Sequence, residues 1–293
     1  MAQFVFSAFA DEAGNSIEAQ ITALKRNDIR YIEPRSVDGS GIIFKTEDEL
    51  RAIKGKLDEA GIRVNSLGSP IGKFPIESKL EEHLPDFEKA ITAAKILNTG
   101  YMRVFSFYVA PNELDKYRDE VIRRMKVMTE IAGENGITLC HENEKKIYGE
   151  LPERVKDLLD NVDGLGAIFD PANYRCVNAD CTLGMDVSLP KLKYLHIKDA
   201  IYEGEVIVPA GEGEGKIAEA IDRADKAYDS LLYLTVEPHL KLFDAYRSID
   251  SSALRGKYSF NTADEAFDTA VHALEKLMFN NGFRKGENGI WKR

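Results

Sequence analysis

The sequence has few cysteines and fewer basic than acidic residues. Its three cysteines are odd in number and form no CxxC pair. We therefore predict reduced thiols and a cytoplasmic protein. The 39 lysines and arginines face 49 aspartates and glutamates, which gives a formal net charge of -10. This balance argues against a surface built to bind nucleic-acid phosphates or an anionic membrane.

The sequence also lacks a long apolar run. No segment reaches the stretch of about 18 apolar residues that a helix needs to cross a bilayer. Residues 8–10, Ala-Phe-Ala, resemble a signal-peptide cleavage site, but no positively charged segment precedes them. We predict a first β-strand there instead.

Short apolar runs rich in β-branched residues recur along the whole chain. They lie roughly 25 to 40 residues apart, which is the length of one strand followed by one helix. The intervening segments have helical patterns. The eight predicted strands are Phe4–Phe9, Ile29–Glu33, Ile62–Leu67, Tyr101–Phe107, Ile137–Glu142, Leu165–Asp170, Leu192–Lys198 and Leu232–Glu237.

Helix boundary signals support this alternation. Three segments match the capping-box pattern, in which side chains three residues apart satisfy free N–H groups at a helix start, and they begin at Asn15, Thr46 and Thr262. Gly61 and Gly136 stand where helices should end in a left-handed residue. Residues 171–191 are the exception, because we find no amphipathic helix there and predict a loop with at most one short turn.

Strict alternation of strands and helices predicts a parallel sheet covered by helices. An open nucleotide-binding sheet would carry a glycine-rich turn after its first strand, and residues 9–14, Phe-Ala-Asp-Glu-Ala-Gly, do not match one. Eight units without a linker favour a closed (β/α)8 TIM barrel. We predict an α/β fold with one domain over residues 1–293.

Each of the last four predicted strands carries, at or near its end, a residue type that ligates metals: Glu142, Asp170, His196 and Glu237. The C-terminal ends of barrel strands converge on one mouth, so these side chains are predicted to face a common centre. Three carboxylates and one imidazole form an oxygen-rich set. Such a set suits Mn²⁺, Mg²⁺ or Co²⁺ better than a thiolate zinc site, although Zn²⁺ stays possible.

The motifs at these strand ends resemble those of the xylose isomerase-like barrel superfamily. The matching segments are Glu-Asn at 142–143, Phe-Asp at 169–170, Leu-His-Ile-Lys-Asp at 195–199 and the final Glu237. The resemblance covers essentially the whole chain. It implies that one divalent ion, Mn²⁺ by preference, is held by the four residues, and that Glu142 and Glu237 also move the substrate proton.

The sequence departs from the family at two positions that bear on substrate contacts. Asn173, which we predict to contact the substrate, stands where the family often has histidine, and the arginine that follows the strand-seven histidine has no match. His239, two residues beyond Glu237, is predicted to line the pocket. Four basic residues at or just after strand ends are predicted to bind a phosphate or carboxylate of the substrate: Arg35, Lys73, Arg103 and Lys198. The alternative is that each pairs with a nearby acid such as Glu33, Asp11 or Asp199.

The resemblance leaves three functions open. The first is a metal-dependent sugar or sugar phosphate isomerase or epimerase, with a small carbohydrate as its partner and no nucleic acid or membrane. The second is a dehydratase of the inosose type on the same scaffold. The third is an endonuclease IV-like nuclease, against which the five histidines and the acidic charge argue. A homo-oligomer is compatible with all three.

Overall fold

The computed structural model describes residues 1–203, 205–241, 255–256 and 260–293. Fifteen strands occur in these ranges, eight of which belong to the barrel. In chain order, β1 to β15 are Gln3–Ala8, Tyr31–Ile32, Ser36–Val37, Ser40–Gly41, Arg63–Val64, Tyr101–Val104, Thr138–Glu142, Gly166–Phe169, Leu192–Ile197, Asp199–Ile201, Val206–Val208, Leu231–Val236, Arg255–Gly256, Arg284–Lys285 and Ile290–Lys292.

The barrel strands are β1, β2, β5, β6, β7, β8, β9 and β12, which match the eight predicted runs. Six of them pair in parallel in the order β1-β12-β9-β8-β7-β6. Leu67, beyond β5, bridges Met102 in β6, and β5 pairs in parallel with β2. The ring closes where the Glu33 N–H donates to the Ala8 carbonyl at 3.0 Å. The predicted eight-stranded parallel barrel is therefore confirmed.

Helices fill the segments between the barrel strands. Thr46 and Glu49 form the predicted capping box, and Gly61 and Gly136 adopt left-handed backbone angles. The cap of the first helix differs from the prediction, because Ser16 accepts the N–H of the third helical residue. Helices α1 to α9 span Ile17–Arg26, Glu47–Glu59, Leu84–Leu97, Leu114–Glu134, Pro152–Asn161, Pro171–Cys176, Cys181–Ser188, Ile217–Ala227 and Ala263–Asn280.

The prediction of a loop at residues 171–191 was wrong, since α6 and α7 occupy most of it. Each begins at an aspartate, Asp170 or Asp180, whose side chain accepts N–H groups of the first turn. These helices have six and eight residues, too few for a helical period to appear in the sequence. The apolar pattern is also weak because Gly184 packs against the ring of Tyr174.

The end of the chain extends the barrel wall. Strand β15 pairs antiparallel with β1 through Phe4 and Trp291, and β14 pairs with β15. This hairpin covers the edge of β1 that β2 leaves uncovered, because β2 meets β1 only at its other end. The Trp291 ring stacks on Phe6, with 5.4 Å between ring centroids.

Strand β9 continues into a small sheet at the mouth of the barrel. Strands β10 and β11 form an antiparallel pair that also contacts β13. Asp199, the first residue of β10, accepts N–H groups of Gly211, Gly213 and Gly215. The glycine-rich segment thus wraps around one carboxylate before α8 begins. None of the helices in the described ranges has the length and apolar character needed to span a bilayer.

Candidate metal centre

The four predicted ligands meet at the C-terminal mouth of the barrel. Glu142 ends β7, Asp170 directly follows β8, His196 lies in β9 and Glu237 directly follows β12. One ligand atom from each residue lies within 4.8 Å of the corresponding atoms of the other three. All four side chains are buried. The structure therefore brings together the set that the strand ends predict.

Asp170 is held by its backbone and by one carboxylate oxygen. After β8 ends, its N–H donates to the Asn143 side chain at 3.0 Å, and that side chain donates to the Asp170 carbonyl at 2.9 Å. Oδ1 accepts the N–H of Asn173 at 2.9 Å. Oδ2 has no hydrogen bond among the described residues, although Lys198 Nζ lies 2.9 Å away. One oxygen therefore fixes the side chain while the other points into the cluster.

His196 presents its two ring nitrogens to different carboxylates. Nδ1 lies 3.1 Å from Glu142 Oε1 and 3.5 Å from Glu237 Oε2. Nε2 lies 3.3 Å from Oε2 of Glu33. Nδ1 is therefore the nitrogen that faces Glu142 and Glu237.

Three basic residues surround the carboxylates. Arg103 Nη1 donates to Glu142 Oε2 at 3.2 Å. Lys198 Nζ lies 3.2 Å from Glu237 Oε2. Arg35 Nη1 donates to Glu237 Oε1 at 3.3 Å. Each of the two predicted catalytic glutamates therefore has at least one basic side chain paired with its carboxylate.

The surroundings shift the pKa values of the two glutamates downward. Burial raises the pKa of Glu142, but His196 and Arg103 outweigh burial and lower it to about 2. Burial likewise opposes ionisation of Glu237, but Lys198, His239 and His196 hold its pKa well below the usual range. Both carboxylates are therefore ionised at neutral pH.

The pKa values of Asp170 and His196 shift upward instead. Burial raises the pKa of Asp170 to about 7, and Glu237 and Glu142 add to that effect against Lys198. Burial lowers the pKa of His196, but Glu142 and Glu33 outweigh burial and raise it to about 10. Without a metal ion, the cluster therefore retains protons that ligation would remove.

The donor set fits a divalent cation. Three carboxylates and one imidazole nitrogen converge within 4.8 Å, and Oδ2 of Asp170 lacks a hydrogen bond in the described part of the chain. Like-charged carboxylates this close repel one another, and Lys198, Arg103 and Arg35 offset this repulsion in the metal-free protein. Oxygen-rich sets of this kind bind Mg²⁺ or Mn²⁺, and a mixed oxygen and nitrogen set also binds Zn²⁺.

The predicted substrate-binding residues also lie around this mouth. Asn173 donates to Glu142 Oε1 at 3.2 Å, and His239 Nε2 lies 3.2 Å from Glu237 Oε1. Lys73 pairs with Glu144 at 3.1 Å and lies 4.2 Å from the centre of the Phe105 ring. The basic residues thus pair with nearby acids, as the alternative prediction has it. Their role in substrate binding stays a prediction.

Sequence reasoning considered Glu33 and Asp11 of the mouth only as ion-pair partners of the basic residues, and it missed Glu12. Glu33 contacts His196 as described above. Asp11 accepts two hydrogen bonds from Arg35, at 2.9 and 3.0 Å, and Glu12 accepts the backbone N–H of His239 at 2.6 Å. Burial raises the pKa of Glu12 to about 8. The available signal was position, because Glu33 ends the second predicted strand and the other two closely follow the first.

The comparisons with known proteins agree with this fold. The model of the xylose isomerase-like TIM barrel family matches residues 21–251. The chain therefore belongs to the xylose isomerase-like TIM barrel family. No curated protein matches it in sequence.

Solved structures share the fold at low sequence identity. D-psicose 3-epimerase, solved in the presence of D-fructose, has 16% identity and a TM-score of 0.70, with 95% of this chain and 99% of that chain covered. The probable 3-DHS dehydratase AsbF of Bacillus anthracis has 14% identity and a TM-score of 0.69, with 94% and 99% covered.

Two further solved structures share the fold. A xylose isomerase-like TIM barrel/4-hydroxyphenylpyruvate dioxygenase fusion protein has 17% identity and a TM-score of 0.70, with 96% of this chain covered. This chain spans only 44% of that fusion protein. The IOLI protein, solved with a binding zinc atom, has 14% identity and a TM-score of 0.68, with 94% and 97% covered.

Proposed function

We propose that this protein is a divalent-metal-dependent sugar isomerase or epimerase. The observation that carries the proposal is the buried set of three carboxylates and one imidazole at the mouth of the barrel. Family membership supports an enzyme, and the likeness to a sugar epimerase supports a carbohydrate substrate. The extent of the single domain, the cytoplasmic location and a homo-oligomeric state stay predictions.

In this proposal Glu142, Asp170, His196 and Glu237 hold the ion, with Mn²⁺ as the first choice and Mg²⁺, Co²⁺ or Zn²⁺ as alternatives. A bound divalent ion acts as a Lewis acid that stabilises negative charge developing on substrate oxygens. Asp170 and His196 serve as ligands only. Glu142 and Glu237 have a second role in proton transfer, because both carboxylates are ionised and can accept a proton. Each also has an oxygen beside a basic side chain.

The two glutamates exchange one proton with the substrate carbon next to the carbonyl. One carboxylate takes that proton, the electron pair of the C–H bond forms a carbon–carbon double bond, and the carbonyl π pair moves onto oxygen to give an enediolate. For an epimerase, the other glutamate takes up a proton from solvent and returns it to the opposite face, and the first glutamate releases the abstracted proton to solvent. Arg103 beside Glu142 and Lys198 beside Glu237 fix the carboxylate orientations for these transfers.

A dehydratase is the second candidate, and the likeness to the probable 3-DHS dehydratase supports keeping it. It begins with the same proton abstraction. The enediolate then expels a hydroxyl group, which leaves as water after it takes up a proton. The two reactions differ in product mass, since only the dehydratase loses water.

Incubation with candidate sugars in deuterated water tests the proposal. A panel of ketoses and inososes is incubated with Mn²⁺-loaded protein, and the products are analysed by NMR and mass spectrometry. An epimerase incorporates deuterium at the inverted carbon, whereas a dehydratase also loses water. Incorporation should require the ion and should fall with metal content in Asp170→Asn, which removes one anionic ligand at constant size.

The matched control is Asp186→Asn, since Asp186 lies in α7 outside the cluster and pairs with Arg223. It should bind the ion as the wild type does. Undiminished metal content in purified Asp170→Asn protein contradicts the ligand assignment. Absence of metal-dependent exchange over the whole panel contradicts the proposed chemistry.

A further inference from the structure

Glu33 is a buried carboxylate that neither the four predicted ligands nor the proton transfer uses. It directly follows β2 and has no exposed surface. Its two oxygens are directed to two different side chains of β9. Oε2 lies 3.3 Å from His196 Nε2, and Oε1 accepts a hydrogen bond from the Tyr194 hydroxyl at 2.9 Å. An acid placed so deeply is rare unless it is paired.

The contact with Glu33 determines which tautomer of His196 can ligate. A neutral imidazole carries a proton on one nitrogen and a lone pair on the other. Nδ1 faces Glu142 and Glu237, so ligation through Nδ1 requires the proton to be on Nε2. Glu33 is an acceptor at that position, because an ionised carboxylate only accepts hydrogen bonds.

Tyr194 and Ser66 hold Glu33 in turn. The Tyr194 hydroxyl lies 2.9 Å from Glu33 Oε1 and 2.8 Å from Ser66 Oγ. A phenol has a single proton to donate, and a hydrogen bond to a charged acceptor is stronger than one to a neutral acceptor. The phenol proton therefore goes to Glu33, and the Ser66 hydroxyl donates to the phenol oxygen.

We propose that Glu33 is a positioning residue that sets the ring orientation and the tautomer of His196 for metal binding through Nδ1, and that Tyr194 supports it. The inference rests on the proposed metal site. In the described part of the chain, the hydrogen bonds and ion pairs of Glu33 reach His196 and Tyr194 and none of the other three candidate ligands, so Glu33 acts through His196. A negative charge at Nε2 also makes Nδ1 a better electron-pair donor.

Metal affinity measured by calorimetry tests this role without reference to any substrate. Glu33→Gln keeps the size of the side chain but removes its charge, and outer partners of metal ligands typically contribute about 10–100-fold in affinity. We expect a loss of that size for Mn²⁺ and Co²⁺. Tyr194→Phe should give a smaller loss, and the double variant should bind no more weakly than Glu33→Gln alone.

Ser7→Ala is the matched control. It removes a buried hydrogen bond, from Ser7 Oγ to Asn65, without touching His196 or Glu33. Its affinity for the ion should equal that of the wild type. A general loosening of the barrel would weaken binding in the control as well and would overturn the specific role of Glu33.

A spectroscopic readout separates positioning from simple stability. In the Zn²⁺-loaded wild type, ¹⁵N–¹H correlations of the histidine rings should show His196 metal-bound at Nδ1 and protonated at Nε2. In Glu33→Gln the Nε2–H signal should shift or exchange faster with water. The visible spectrum of the Co²⁺-loaded variant should change as well.

The outcomes separate this inference from the function on which it rests. If the wild type binds no divalent ion, the proposed metal site fails. If the wild type binds and folded Glu33→Gln binds with unchanged affinity, the role of Glu33 is refuted. If Glu33→Gln does not fold, Tyr194→Phe decides, and unchanged affinity there refutes the role as well.

Discussion

Lys198 places its ammonium group 2.9 Å from Oδ2 of Asp170, inside the carboxylate cluster. The same nitrogen lies 3.2 Å from Glu237. Lys198 is therefore a built-in counter-ion for two of the candidate ligands. Lys198 stabilises the metal-free protein. Its positive charge also opposes the binding of a divalent ion at the same carboxylates.

The first prediction concerns Lys198→Met. Removing one partner of a buried ion pair typically costs about 3–5 kcal/mol, because the remaining charge loses its compensation. We expect a lower Tm for the metal-free variant and tighter binding of Mn²⁺ than in the wild type. The difference in Tm between the metal-bound and metal-free forms should therefore be larger for Lys198→Met than for the wild type.

Lys226→Met is the control for a lysine at the surface, since its side chain is 71% exposed. Lys226→Met should change neither the Tm of the metal-free protein nor its affinity for Mn²⁺. A Lys198→Met protein that binds Mn²⁺ more weakly than the wild type would show that Lys198 supports the metal site rather than competing with it.

The second prediction concerns pH. In the metal-free protein His196, with a pKa raised to about 10, is protonated at pH 7, and Asp170, with a pKa raised to about 7, is partly protonated. Both protons must leave before the two side chains can ligate, so about one to two protons are released per ion bound at pH 7. Metal affinity should therefore rise with pH from 6 to 8.

Calorimetry in buffers of different ionisation enthalpy measures that release directly. Asp170→Asn removes one titrating group, so this variant should release fewer protons for each ion that it still binds. Binding that is independent of both pH and buffer would contradict the protonation states assigned to the cluster.

The third prediction concerns Arg103, whose guanidinium bonds Glu142 and the Ser69 carbonyl. Because Glu142 is both a candidate ligand and a candidate base, Arg103→Ala should lower kcat through Glu142 and raise KM if the residue also contacts substrate. Lys73 touches Glu144 instead, so Lys73→Ala should change KM alone. Kinetics on the substrate found by the exchange screen measure both. Unchanged kcat and KM in Arg103→Ala would rule out either role.

The fourth prediction concerns the hairpin of β14 and β15. Trp291 is buried and stacks on Phe6, and truncation of a buried tryptophan to alanine typically costs about 3–5 kcal/mol. Trp291→Ala should therefore lower the free energy of unfolding by a similar amount in denaturant titrations. Because the hairpin lies at the opposite end of β1 from the mouth, metal affinity of the folded variant should stay unchanged.

The sequence predicts the barrel well because each strand has its own local signal. It also predicts the four clustered side chains, since parallel strands bring residues at their C-terminal ends to one mouth. The helices of residues 171–191 could not be predicted from their period because they are only six and eight residues long.

The support provided by Glu33 was not predictable from its own segment. Its role depends on a contact with His196, which is 163 residues away in the chain. Only the closed ring of strands brings these two together. Contacts of this kind depend on the register of neighbouring barrel strands, which the pattern of apolar residues does not specify.

The last prediction concerns Glu142 and Glu237 as the proton-transfer pair. Each is proposed to be both ligand and base, so removing a whole carboxylate would mix two effects. Glu→Gln keeps one oxygen for the ion and removes the basic site. Variants that still bind the ion should lose about 10²–10⁴-fold in turnover, which is the usual contribution of a general base.

The two variants should also fail in a way that identifies a two-base mechanism. With one base lost, the remaining carboxylate still exchanges the substrate proton on its own face but cannot complete the inversion. Deuterium should therefore enter the substrate without epimerisation, in a reaction followed by NMR in deuterated water. If either metal-loaded variant keeps full turnover, the pair is wrong. His239, 3.2 Å from Glu237, is then the first residue to test as the base.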